Sequence, residues 1–156
     1  MTAQWTANTY YVKFNANGGS GSMANEAFTY GTAKKLTKNT FTRTGYTFNG
    51  WKTAVSSGTS YTDGQSVSNL TSTANATINL YAQWSPNTYT ITLDDQSADT
   101  VGTTIFYEKY ATGIYSNSTA TTSITSITCP VKSGYKFGGY YTTTDEEGVQ
   151  YIDSSG

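Results

Sequence analysis

The sequence predicts a mainly β protein made of two tandem copies of one small module. Aromatic residues form 15% of the 156 residues and Thr is abundant, whereas charged residues form 12%. β-Branched and aromatic side chains favour strands because they lose rotamer freedom on a helix. The chain also repeats itself, since "TAQWTANTYYVKF" from Thr2 to Phe14 returns as "YAQWSPNTYTITL" from Tyr81 to Leu93, at an offset of 79 residues.

A second match fixes the extent of the copies. "GYTFNGW" from Gly45 to Trp51 returns as "GYKFGGY" from Gly134 to Tyr140, at an offset of 89. The offset grows between the two matches, so the second copy carries an insertion between Leu93 and Cys129, where a surface loop costs little closure entropy. We therefore expect residues 1–8 to be the tail of a preceding repeat, residues 9–84 the first module, and residues 85–156 a divergent second module without its closing strand.

Each module is expected to open with a hairpin. In the first module Tyr10, Val12 and Phe14 alternate with polar or outward positions, which predicts a strand with one buried face. Residues 17–21 form the turn, because adjacent glycines permit positive φ, and the strand returns at 28–30. The same alternation in the second module predicts that Tyr89, Ile91 and Leu93 point inward.

The later elements follow from the same period of two. Residues 47–53 and their counterpart 136–142 are predicted to be central strands. In the closing strand, residues 76–84, the side chains of Ile78, Leu80 and Ala82 point inward. Residues 33–40 and 107–118 are predicted to form short helices, which makes the class mainly β or α+β.

Composition and charge exclude several functions. The net charge is -1, so the chain has no basic stripe for a phosphate backbone and nucleic acid is not an expected partner. No run reaches the roughly 18 apolar residues that span a bilayer, so membrane insertion is not expected. The single cysteine, Cys129, forms no internal disulfide and is expected to be a buried, inert thiol.

The absence of histidine argues against catalysis. It removes the usual general base, the usual zinc ligand and every Ser-His or Cys-His pair, so we expect no enzyme, metal site or cofactor. Two carboxylate clusters remain, and they are expected to be solvated turns: Asp94, Asp95 and Asp99, and Asp145, Glu146 and Glu147. A calcium loop and a glycosidase pair are the alternatives, although neither cluster has the ligand spacing of an EF-hand.

The large aromatic residues have two interpretations. Trp51 and Tyr140 each follow a glycine at equivalent places and are expected to fill the module cores. Trp5 and Trp84 flank the junctions, where a ring can wedge against a neighbouring module. The alternative is a carbohydrate-binding surface on which exposed rings stack against sugars. The candidates for that surface are Tyr11, Tyr115 and Tyr141.

The junction between the modules is predicted to be stiff. Residues 85–88 are few, and Pro86 fixes its own φ and biases Ser85 towards extended geometry. The modules are therefore expected to act as a semi-rigid array.

Several of these motifs together suggest a family. The alternating first strand, "NGG", "GYTFNGW", "YTDG" and "LYAQW" follow one another in the first module. This succession resembles the Listeria/Bacteroides repeat, also described as the internalin B-repeat-like module. The second module departs from it, with "DDQSAD" in place of "NGG" and Tyr140 in place of Trp51.

The resemblance implies a β-grasp (ubiquitin-like) fold, used in tandem as stalks on bacterial surface or secreted proteins, without enzymatic activity. It implies an extracellular or cell-surface location. The partners to expect are neighbouring repeats of the same protein, and host or cell-wall glycans or proteins.

Overall fold

The computed structural model describes residues 1–144 and 148–156, and in these residues it contains strands, turns and no helix. The mainly β class is therefore confirmed. The predicted carboxylate cluster at residues 145–147 lies outside the described residues. The chain divides into two units, Met1–Ser85 and Pro86–Gly156.

The first unit is built on a five-stranded sheet of order β2-β1-β7-β4-β5. Its strands are β1 (Thr9–Asn15), β2 (Glu26–Thr29), β3 (Lys34–Lys35), β4 (Tyr46–Lys52), β5 (Ser60–Tyr61), β6 (Ser66–Val67) and β7 (Thr77–Pro86). Strand β1 is antiparallel to β2 and parallel to β7. The short strands β3 and β6 pair with each other outside the main sheet. The predicted central strand at 47–53 is confirmed, because β4 lies between β7 and β5.

The opening hairpin of the first unit also matches its prediction. The side chains of Tyr10, Val12 and Phe14 are buried, and the residues between them are exposed. Asn17 and Gly18 both have positive φ, 48° and 86°, and the Gly19 N–H donates to the carbonyl of Ala16 at 3.0 Å. Two consecutive positive φ angles match the twist of a hairpin.

The core of the first unit is centred on Trp51, which is 1% exposed. Its ring lies 4.9 Å from Phe14, 5.0 Å from Phe48 and 6.2 Å from Phe41 between ring centroids. The tilted and edge-to-face geometries are those that aromatic quadrupoles favour. Strand β7 adds Leu80 and Ala82, both fully buried, as the alternation in 76–84 predicted. Other buried side chains come from outside the five-stranded sheet: Leu36, Phe41 and Val67.

The second unit contains β8 (Thr88–Thr92), β9 (Ile105–Lys109), β10 (Gly113–Tyr115), β11 (Ser123–Ile124), β12 (Tyr140–Tyr141) and β13 (Gln150–Ile152). Four of these form a sheet of order β11-β10-β9-β8, and β12 pairs with β13. The predicted hairpin is confirmed, because β8 is antiparallel to β9 over five residue pairs. The core is sparse and gathers around Phe106, Ile127 and Tyr140.

The two helices predicted at 33–40 and 107–118 are wrong. Lys34 and Lys35 pair with Val67 and Ser66, so the backbone there is extended. The later stretch is the end of β9 and a tight return into β10, with Ala111 at a φ of 51°. In 107–118 the side chains of Tyr107, Tyr110 and Ile114 do follow a helical spacing, but pairing of β9 with β10 decides the conformation. In 33–40 the sequence carries no such stripe, and pairing with the distant β6 decides it.

Two predictions for the second unit need correction. The stretch 136–142 is not a central strand, since only Tyr140 and Tyr141 are in strand conformation and their sheet has two strands. Tyr89 is not buried and is 42% exposed, whereas Ile91 and Leu93 are half-buried. Both differences arise at the place where the first unit has β7.

Candidate functional site

Tyr11 presents its ring on the outward face of the first sheet. It is 37% exposed, and its neighbours across the sheet are Ala27 on β2 and Thr77 on β7. Both of these cross-strand neighbours have short side chains. The outward orientation that alternation predicted is confirmed.

Trp84 packs within the first unit. Its Nε1–H donates to the carbonyl of Ala16 at 2.9 Å, and its ring lies edge-to-face on Phe48 with centroids 5.6 Å apart. A Cβ on Gly19 would come within 2.7 Å of the ring, so this glycine makes room for it. Trp84 therefore joins the end of β7 to the β1–β2 turn.

Trp5 lies before the first strand and is 92% exposed. Residues 1–8 are exposed throughout and outside any strand. The contact of Trp5 and Trp84 with a neighbouring module stays a prediction.

Tyr115 and Tyr141 are only half-buried, and they lie in different strands of the second unit. Tyr115 is on β10, opposite Tyr107 of β9 and Ser123 of β11. Tyr141 is on β12, opposite Gln150 of β13. Tyr115 and Tyr141 thus belong to different sheets of the second unit.

A groove of about 1050 Å³ opens in the second unit between β8 and β12. Side chains of both strands and of the segment before β12 line it: Tyr89, Ile91, Leu93, Phe137, Tyr140 and Tyr141. The groove also borders Tyr135 and Tyr151, which are strongly exposed. The sequence interpretation missed these two tyrosines as site residues, although the repeat offsets pair them with Tyr46 and Tyr61 of the first copy.

Tyr140 is the most buried aromatic side chain of the groove. It is 9% exposed, and its ring lies edge-to-face on Phe137 with centroids 5.2 Å apart. Its hydroxyl is buried without a hydrogen-bond partner among the described residues. Burial raises the pKa of Tyr140 above its ordinary value, and the charges of Asp95, Cys129 and Asp94 add to this.

Two carboxylates of the first cluster accept hydrogen bonds from backbone N–H groups. The Asp94 carboxylate accepts from the Gln96 N–H at 3.0 Å, and that of Asp99 accepts from the Ser133 N–H at 2.6 Å. The bond from Ser133 holds the pKa of Asp99 below its ordinary value. Within residues 1–144 and 148–156, no three His, Cys, Asp or Glu side chains are grouped to hold a metal.

Cys129 is half-buried and unpaired, whereas a fully buried thiol was expected. It lies before Pro130 at the start of a segment whose Val131 pairs with Thr100 in an isolated bridge. No helix in the described part of the chain has the length and hydropathy of a membrane span.

The comparisons with known proteins identify the repeat. The model of the Listeria-Bacteroides repeat domain matches twice, at residues 10–83 and 89–156. These two tandem matches confirm the resemblance found in the sequence. No curated protein and no solved structure matches the chain.

Proposed function

Because the chain belongs to the Listeria-Bacteroides repeat family, we propose that it is a non-enzymatic, semi-rigid spacer of a bacterial surface or secreted protein. In this role its tandem modules hold a terminal domain away from the cell and offer adhesive surface along the way. The family is typical of bacterial surface proteins and typically non-catalytic.

The short link between the modules is the observation that carries the proposal. Strand β7 ends at Pro86 and β8 begins at Thr88, which leaves Asn87 as the only residue between them. The carbonyl of Asn87 accepts from the Tyr110 N–H at 2.9 Å, so this residue too is tied to the second unit. A flexible tether needs a run of unpaired, Gly- or Ser-rich residues, and this link offers none.

The order of strands supports a β-grasp module for the first unit. In the sheet order β2-β1-β7-β4-β5, the strands that come first and last along the chain, β1 and β7, are neighbours and run parallel. A β-grasp sheet is arranged in this way, with Leu36, Phe41 and Val67 here covering the core in place of a helix. The second unit has the same opening hairpin.

The parallel pairing of β1 and β7 also suits a spacer under tension. Force that enters at Thr9 and leaves at Pro86 pulls the two strands along each other. Five registered residue pairs, from Tyr11–Thr77 to Asn15–Tyr81, then resist together rather than one after another. A stalk module benefits from this arrangement because it does not unzip from one end.

A distance measurement tests the semi-rigid link. We expect spin labels at Thr32→Cys and Ser126→Cys, in a Cys129→Ser background, to give a narrow distance distribution by electron–electron dipolar spectroscopy. A Gly-Gly-Ser insertion between Ser85 and Pro86 is expected to broaden it by about twofold, because such linkers behave as random coils. A distribution that is equally broad with and without the insertion would refute the semi-rigid spacer.

The second candidate function is carbohydrate binding by exposed aromatic rings, and the outward orientation of Tyr11 on β1 favours it. We expect saturable binding to a cell-wall or host polysaccharide to weaken by roughly two- to tenfold on Tyr11→Ala or Tyr141→Ala, since a stacked ring contributes about 0.5–1.5 kcal/mol. Isothermal titration of glycans selected on an array would measure the change. Tyr30→Ala, another exposed tyrosine, is the control. Equal affinity of all three variants would contradict carbohydrate binding by these rings and leave the spacer role as the proposed function.

A further inference from the structure

A pocket of about 390 Å³ opens in the first unit, where β7, β4 and β5 lie side by side. Its lining residues lie between positions 49 and 84, so the pocket belongs to the first unit alone. The volume is at the small end of the range of about 300–1,000 Å³ that small-molecule sites have, which suits a ligand of one or two rings. The lining combines aromatic rings with amide side chains: Tyr61, Trp51, Trp84, Asn49, Gln65 and Gln83.

Two half-buried aromatic rings line this pocket, and both are fixed in place. Tyr61 and Trp84 each pack against the core of the first unit. Tyr61 lies opposite Trp51 in the pairing of β5 with β4. The ring of Trp84 is held by its hydrogen bond to the carbonyl of Ala16 and by its edge-to-face contact with Phe48. Rings held in this way lose little freedom when a ligand binds, and their faces accept apolar CH groups.

Two glutamine side chains of the pocket have complementary groups left over. The Gln65 Oε1 accepts from the Thr62 N–H at 2.8 Å, so the Nε2 group of Gln65 remains as a donor. The Gln83 Nε2 donates to the carbonyls of Val55 and Tyr81 at 3.1 and 3.0 Å, so the Oε1 of Gln83 remains as an acceptor. Neither remaining group has a hydrogen-bond partner among the described residues. Each amide is thus oriented by one end and offers the other to a ligand.

A third unmet group belongs to the wall of the pocket. Trp51 lines the pocket, and its Nε1–H is buried without a hydrogen-bond partner among the described residues. The alternation of β4 breaks at Gly50, since Phe48 and Trp51 are three residues apart and yet pack on each other in the core. A break of this kind re-aims a side chain and is common beside functional sites. Buried indole donors ordinarily have an acceptor, and a ligand oxygen would supply the one that is missing here.

These groups match the chemistry of a sugar. A pyranose ring presents CH groups on its faces, and its adjacent hydroxyls both donate and accept hydrogen bonds. One such hydroxyl can accept from Gln65 while its neighbour donates to Gln83. Lys52 is the one charged residue in the lining, so a positively charged ligand is disfavoured. We propose that this pocket binds one pyranose ring of a glycan, with the two half-buried aromatic rings against its face and the two glutamines at its hydroxyls.

This site goes beyond the spacer role and does not depend on it. It is also separate from Tyr11, which lies on β1 and is not among the lining residues. Sugar binding at the pocket and sugar binding at the outward face of β1 are therefore distinguished by different variants.

Titration of the full chain with the methyl glycosides of glucose, galactose, mannose and N-acetylglucosamine tests the pocket. A ligand of about twelve non-hydrogen atoms is expected to give a Kd on the order of 1 mM for at least one of them. Gln65→Ala and Gln83→Ala are each expected to weaken this binding by roughly two- to tenfold, because one hydrogen bond is lost. Gln4→Ala, in the exposed segment before β1, is the matched control and should leave the Kd unchanged, as should Tyr11→Ala. Thermal unfolding checks that each variant keeps its fold.

The indole N–H signals in nitrogen-15 NMR spectra locate the bound sugar. We expect the signals of Trp51 and Trp84 to shift with the bound glycoside, whereas that of Trp5, which is 92% exposed, stays in place. Trp5→Phe assigns its signal, and glycerol, which has hydroxyls but no ring, should shift none of the three. Three results would each overturn the pocket: no binding of any glycoside, binding unchanged in both glutamine variants, or a shift confined to Trp5. The spacer role would stand in each case, since it depends on the link around Asn87.

Discussion

Replacing Trp51 with alanine is expected to lower the free energy of unfolding of the first unit by about 3–5 kcal/mol, which is the usual cost of truncating a buried Trp or Phe. Trp51 is almost fully buried and touches the rings of Phe14, Phe41 and Phe48. No neighbour can collapse into the space, because those rings are themselves held by β1, β4 and the segment before β4. A small domain has a total stability of about 5–15 kcal/mol, so the loss removes a large part of the stability of the first unit.

Urea unfolding followed by far-UV circular dichroism, with hydrogen exchange to assign each transition to a unit, measures this effect. Tyr140→Ala is the matched variant in the second unit. We expect it to cost less, because Tyr140 borders the open groove and its ring packs on Phe137 alone among the aromatic side chains of the described residues. A loss under about 1 kcal/mol for Trp51→Ala would contradict the central place given to this ring. The second unit should keep its own transition in that variant.

The first unit could be predicted well because its signals are local. The alternation of Tyr10, Val12 and Phe14 specifies which face of β1 is buried, since a strand turns its side chains to alternate sides. The turn is marked by Asn17 and Gly18, which both have positive φ. The glycine before Trp51 indicated a close approach of the backbone, and Gly50 does face the carbonyl of Tyr61.

The errors arose where conformation depends on distant strands. Lys34 and Lys35 are extended because Ser66 and Val67 pair with them. The sequence of residues 33–40 contains no signal for pairing with β6. Residues 136–142 have a sequence similar to that of β4, but they form a strand only at Tyr140 and Tyr141, because no β7-type strand lies beside them among the described residues. Pairing across a sheet is a property of two segments, so one segment read alone predicts it poorly.

The candidate site was partly predictable for the same reason. The outward orientation of Tyr11 follows from alternation within one strand. The groove does not, because it is formed by two separate sheets and appears only when β8 and β12 are compared with β1 and β4. The repeat offsets contained this comparison, since they pair Tyr89 with Tyr10, although they did not indicate that Tyr89 would be exposed.

Replacing Gly50 with alanine is expected to destabilise the first unit by at least about 2 kcal/mol. Gly50 lies inside β4 with a φ of 108°, which side chains of L-residues rarely adopt. A Cβ at this position would lie 2.7 Å from the carbonyl oxygen of Tyr61, closer than van der Waals contact allows. Because the obstacle is backbone, it cannot rotate away, and β4 must separate from β5 next to Trp51.

Gly31→Ala is the control that separates the two causes, and chemical denaturation of both variants measures the difference. Gly31 also has a positive φ, 83°, but a Cβ there meets no atom within 4 Å. It should therefore cost only the backbone strain, about 1–2 kcal/mol. Gly139 repeats the arrangement of Gly50 in the second unit, with a φ of 123° and the carbonyl oxygen of Ile152 at 2.4 Å from the added Cβ. Equal losses of unfolding free energy for Gly50→Ala and Gly31→Ala would mean that β5 moves to accept the methyl group. The close approach of the backbone beside Trp51 would then not be the reason for glycine at positions 50 and 139.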